Sequence, residues 1–170
     1  MADLAASFKD ARDAWKPGAS NPQPTGGPHK DVQKVSEQYK WESNHTPPKD
    51  AYKDTPYEWV NEFDMPAVSM HFYNHRNARG RLGGASSTGG SGVQKDWAET
   101  LRGYMKNKEF YKAMALDAID ILNTTHPNRE YYQAALVKAA DYARDAGLID
   151  QDGHLIVIGV IMGQLTINFD

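Results

Sequence analysis

The chain has 170 residues, 40% of them hydrophobic, a formal net charge of -3 and no cysteine. That length sustains one real core and lies in the size range of a single domain. The missing cysteines exclude disulfide frameworks, thiolate zinc sites, cysteine nucleophiles and the zinc deaminase chemistry that needs a Cys-x-x-Cys pair.

Leu4, Phe8, Ala11 and Trp15 recur at helical spacing and predict a leading helix over Leu4 to Trp15, stopped by Lys16-Pro17-Gly18. The same segment is charged and has no apolar core of its own, so no secretory signal is expected there. Ser20 to Pro28, with three prolines and two glycines, predicts an irregular linker. Val32, Val35 and Tyr39 predict a short helix over Asp31 to Tyr39.

The run Trp41-Glu42-Ser43-Asn44-His45-Thr46-Pro47-Pro48 and the later run Met70-His71-Phe72-Tyr73-Asn74-His75-Arg76 hold three of the six histidines together with a carboxylate and amides. Imidazole suits both proton transfer and metal ligation near neutral pH, so this is the composition of an active site. Asn44 to Pro66 carries four prolines and predicts an ordered loop packed by Tyr52, Tyr57, Trp59 and Phe63. Pro66 then predicts the first turn of a helix bearing the second cluster, with His71 and His75 at i and i+4 on one side, a geometry for two ligands to one metal.

Gly80 to Gly92 contains six glycines and four Ser/Thr residues and predicts a flexible loop without a phosphate-cradle pattern. Amphipathic spacing predicts helices over Asp96 to Met105, Phe110 to Leu122 and Arg129 to Ala146, the last closed by Gly147. After a turn at Asp150 to Gly153, β-branched content predicts two strands, His154 to Val160 and Gln164 to Phe169, as a short C-terminal hairpin. The longest apolar stretch, Leu155 to Met162, is too short to span a bilayer, so no membrane span is expected.

Charge is unevenly spread. Residues 1–69 hold 8 Lys/Arg against 11 Asp/Glu, residues 70–112 hold 8 against 3, and residues 113–170 hold 3 against 8. A basic middle third is the footprint of a docking polyanion, and Arg76, Arg79, Arg81, Lys95 and Arg102 are its candidate nucleic-acid contacts. A lysine- and arginine-rich solvated face explains the same count.

The order Glu42, Asn44, His45, Pro47, Pro48, then Met65-Pro66-Ala67 and Met70, then Asn74-His75, then Ser87-Thr88-Gly89 and Trp97 resembles the HNH/endonuclease VII superfamily of histidine-rich nuclease toxin domains at the tips of bacterial polymorphic toxins. The resemblance runs from Glu42 to Gly147. It implies an α+β, predominantly helical chain with a ββα-metal core and helical extension over residues 42–170, preceded by a helical or linker segment over residues 1–41. It further implies a catalytic set of His45 as general base with Glu42 and Asn74, and a metal set of His75, His71 and Asn44 around one divalent ion, Mg²⁺, Mn²⁺ or Zn²⁺. Asn44 departs from the stronger ligand the family places before the base. Glu42 takes over there, or the amide carbonyl suffices for a hard ion, or the site is inactive.

Under this resemblance His45 and His75 should point from opposite walls of one cleft at a shared phosphate and metal. His45→Ala should abolish cleavage while sparing metal affinity, and His75→Ala should weaken metal binding. The implied function is a metal-dependent endonuclease acting on DNA or RNA as a toxin or effector. A cognate immunity protein would be its inhibitor, and a secretion system would deliver it to the target-cell cytoplasm; without such delivery it would be cytoplasmic. A non-enzymatic helical binding or assembly module with structural histidines is the alternative. A metallo-amidase ranks below both, since no His-Glu-x-x-His is present.

Overall fold

A computed structural model of the chain describes residues 23–71, 74–75, 92–125 and 129–169. Among these residues the architecture is α+β and predominantly helical, with one three-stranded antiparallel sheet. In chain order the elements are β1 (Gly26–Pro28), α1 (His29–Tyr39), β2 (Glu42–His45), 3₁₀ turns at Lys49–Tyr52 and Glu62–Asp64, and β3 (Pro66–Met70). Then come α2 (Gly92–Lys106), α3 (Phe110–Thr124), α4 (Arg129–Asp145) and α5 (Gln151–Ile161). The leading helix expected at Leu4 to Trp15 and the glycine-rich residues 80–91 lie outside the described residues.

The sheet order is β1-β3-β2, with Gly26 opposite Val68 and with Glu42 opposite Met70 and Asn44 opposite Val68. Directly paired residues share a face, and successive residues alternate. Gly26, Val68, Met70, Glu42 and Asn44 therefore occupy one face, and Ser43, His45 and Ala67 the other. The first face is covered by α4, so closely that a Cβ on Gly26 would lie 1.9 Å from the Ala135 carbonyl oxygen. Helix α1 packs on β2 and β3 from the second face. The expected boundary at residues 41 and 42 thus falls between an element of the sheet and the helix packed on it.

Two expectations are corrected. Pro66–Met70 is the central strand, not a helix start. All five of its residues are buried, as befits a strand flanked on both edges and covered on both faces. Proline is tolerated at the first position of a strand as it is in the first turn of a helix, so Pro66 alone does not discriminate. The helical turn begins later, where the His75 amide donates to the His71 carbonyl at 3.0 Å and Asn74–His75 are helical.

The C-terminal hairpin is the second correction. His154 to Val160 lies within α5, and the residues after it form no strand. The Asp150 side chain accepts from the Gly153 amide at 2.7 Å, which caps the helix. Buried Gly153, His154, Val157, Val160 and Ile161 then recur at helical spacing inside a run whose β-branched content suggests strand. The three preceding helices stand where spacing placed them. Their inner faces join β3 in one core through Leu101, Met105, Phe110, Met114, Leu136 and Val68.

Candidate metal centre and adjoining groove

Strand β2 lies at the edge of the sheet, and its alternation sorts the histidine-rich motif into two constellations. Ser43 and His45 point toward α1, where His29 opens the helix directly after Pro28. The His29 Nδ1 lies 2.8 Å from the Ser43 hydroxyl, and the His29 and His45 ring centroids are 4.1 Å apart. Glu62 comes from the second 3₁₀ turn, whose start is fixed by the Asn61 side chain accepting from the Phe63 amide at 2.9 Å. The donor atoms of His29, His45 and Glu62 all lie within 4.8 Å of one another.

The electrostatics of this cluster favour ligation. Burial, and then the neighbouring His29, push the His45 imidazole down to about 4, so it is neutral at physiological pH. Burial also lowers His29, partly opposed by Glu62. Hydrogen bonding to Lys49, at 2.6 Å, holds the Glu62 carboxyl below its ordinary value. Two neutral imidazoles and an ionised carboxylate are the forms in which these groups bind metal. His45 Nε2 is buried and meets no hydrogen-bond partner among the described residues. The His29 Nδ1 contact with Ser43 leaves Nε2 as the second available nitrogen, an orienting arrangement typical of ligating histidines. The residues therefore fit a divalent ion. A His₂-carboxylate set suits Zn²⁺ or Mn²⁺ better than Mg²⁺, which prefers all-oxygen surroundings.

The second constellation lies on the opposite face of β2. His75 contacts the Glu42 carboxylate through Nδ1, and its Nε2 lies 3.1 Å from the Asn44 side-chain oxygen. With both ring nitrogens engaged, ligating an ion through His75 requires releasing one of these partners. Three of the six expected catalytic and metal residues, Glu42, Asn44 and His75, are thus brought together. His45 is not among them. Strand alternation directs His45 and Asn44, the contact of His75, to opposite faces of β2. What His75 does share is an open groove of about 330 Å³ around the free edge of β2, bordered by His29, Gln33, Glu42, Ser43 and His75.

His71 and Asn74 serve as anchors. The His71 amide and the Asn74 side-chain amide both donate to the buried Tyr132 hydroxyl of α4, at 3.0 and 2.9 Å. The His71 ring packs edge-on against Trp41, with centroids 5.8 Å apart, whereas His75 turns to Glu42. Of the basic candidates, Arg76, Arg79 and Arg81 lie outside the described residues. Arg102 donates to the Asp50 carbonyl at 2.6 Å, and with Lys95 it borders a depression that also contains Asp50 and Glu99.

Sequence reasoning missed His29 and Glu62. They sit 16 residues before and 17 after His45, with no motif spacing to join them. The one available signal was a histidine placed directly after Pro28 at a helix start. Comparison with family models, with curated proteins and with solved structures gave no match.

Proposed function

We propose that the chain is a divalent-metal-dependent endonuclease that hydrolyses phosphodiester bonds of DNA or RNA, with His29, His45 and Glu62 holding the ion. The observation that carries this reading is the convergence of two imidazoles and a carboxylate within 4.8 Å of one another, with His45 Nε2 buried and without a hydrogen-bond partner among the described residues. Bound there, the ion would supply Lewis-acid stabilisation of the phosphate and of the charge developing on it. His29 would orient the ion through its Ser43 contact. The groove would admit substrate along the β2 edge, with Glu42 and His75 also on its border.

The ββα-metal reading rests on the sequence resemblance, and the adjacent antiparallel strands β2 and β3 are compatible with its two strands. The role of toxin or effector, the immunity protein and delivery to a target cell rest on the sequence resemblance. No helix among the described residues is long and apolar enough to cross a membrane.

Incubation of the purified protein with plasmid DNA and with RNA, in Mn²⁺, Zn²⁺, Mg²⁺ or EDTA, tests the proposal. Cleavage should require a divalent ion and should fall by roughly 100-fold or more in His45→Ala, since ligand loss costs at least what loss of an orienting partner does. Intact nucleic acid in every metal would contradict it. The alternative, a non-enzymatic binding module, is favoured by the exposed apolar side chains Leu155, Met162 and Leu165 at and beyond α5. That module would show no metal-dependent change in melting temperature.

A further inference from the structure

We propose that Phe63 is a stacking platform for an unpaired nucleobase beside the His29/His45/Glu62 centre, so that the preferred substrate is single-stranded nucleic acid. The substrate assignment rests on the nuclease reading above. Phe63 follows the ligand Glu62 directly in the chain and is 53% exposed. Its ring stacks on that of His29, with 30° between planes and 6.3 Å between centroids, and the His29 ring is in turn tilted by 31° against that of His45, with centroids 4.1 Å apart. The row Phe63, His29, His45 therefore runs from solvent into the metal donors.

The ring is exposed on a braced segment. Asn61 caps the 3₁₀ turn, Lys49 holds Glu62 at 2.6 Å, and Lys30 on α1 holds Asp64 at 2.9 Å. A rigidly presented aromatic surface in water costs apolar exposure and gains nothing for the core, whereas it is pre-organised for a flat apolar ligand. Every base has a π-face, so the platform is tolerant of sequence, but a base within a duplex is already stacked and cannot reach it. Trp59, four residues earlier and 72% exposed, offers a second ring on the same segment.

Fluorescence anisotropy in EDTA tests this without relying on cleavage. The ligands are a labelled oligothymidylate, an oligouridylate, an abasic deoxyoligonucleotide of equal length and a duplex. The parent should bind both base-bearing single strands about tenfold more tightly than the abasic strand, a difference in the range of a single base–aromatic stack. Phe63→Ala should abolish that difference, and Phe63→Trp should retain it. Zn²⁺ affinity should be unchanged in both variants. Equal binding of abasic and base-bearing strands by the parent would overturn the platform, as would a Phe63→Ala loss that is the same for both strands. So would loss of Zn²⁺ affinity in Phe63→Ala, which would make the ring a structural prop. The nuclease reading fails separately, by absence of cleavage in the parent with every metal.

Discussion

Burial holds His45 neutral, and that one protonation state ties ligation to stability. Its folded-state value of about 4 lies below the ordinary 6.5, so the unfolded chain takes up the proton first. The resulting stability is fully present above pH 6.5 and is lost as pH falls from there toward 4, by up to about 3 kcal/mol. Asp117 on α3 acts in the opposite sense. It is fully buried and accepts from the Trp97 indole at 2.9 Å, and burial raises its carboxyl from 3.8 to about 7. Stability from the neutral carboxyl is full below 3.8 and is lost as pH rises through about 7, by up to about 4 kcal/mol. The two slopes oppose one another between pH 4 and 6.5, so the metal-free parent should show a flat profile there. Asp117→Asn keeps an acceptor for Trp97 and removes one slope. Thermal melts should find this variant more stable than the parent at pH 8 and newly acid-labile below pH 6.5. A parallel profile for the two proteins would refute the assignment.

At the level of elements, the tightest constraint is the contact between β1 and α4. Gly26 lets the sheet lie against the α4 backbone, and a methyl group there would meet the Ala135 carbonyl oxygen at 1.9 Å and the Ala139 amide nitrogen at 2.8 Å. These are backbone atoms and cannot rotate away. Gly26→Ala should therefore destabilise the fold by roughly 3 kcal/mol or more, at or beyond the upper end of overpacking effects, and urea denaturation with an unchanged midpoint would refute the packing described. Gly27→Ala, where no atom lies within 4 Å, isolates the backbone effect of a neighbouring glycine at φ +149°. The amphipathic helices α2 to α4 were legible because their inner faces repeat at a period the sequence displays. Pro66–Met70 was not, because a strand buried on both faces loses the alternation that marks it, and α5 was not, because apolar residues, β-branched ones among them, occupy its exposed and half-buried positions as well as its buried ones. In α5 the Asp150 side chain caps the helix start, a local hydrogen bond that the strand expectation did not include.

For the whole molecule, the sheet divides the chemistry. It carries His29, His45 and Glu62 on its α1 face and Glu42, Asn44 and His75 on its α4 face, and only the free edge of β2 joins them. The motif Glu42-Ser43-Asn44-His45 was legible as a run of four adjacent polar residues, which the strand sorts into two clusters. Its partners were not. Pairing His45 with His29 or Glu62 depends on how α1 and the 3₁₀ turn at Glu62–Asp64 return to β2, and tertiary approach of that kind leaves no spacing in the chain. The basic middle third remained legible only as composition, with Arg102 spent on the Asp50 carbonyl.

The central claim is the identity of the metal ligands, and calorimetric titration of Zn²⁺ or Mn²⁺ into the parent, His29→Ala and His75→Ala proteins tests it most directly. One ion should bind the parent. His29→Ala should weaken that binding by roughly 100-fold or more, while His75→Ala, whose ring is held by Glu42 and Asn44, should bind as the parent does. Parent-like affinity in His29→Ala together with loss in His75→Ala would place the ion on the other face of β2 and contradict the site described.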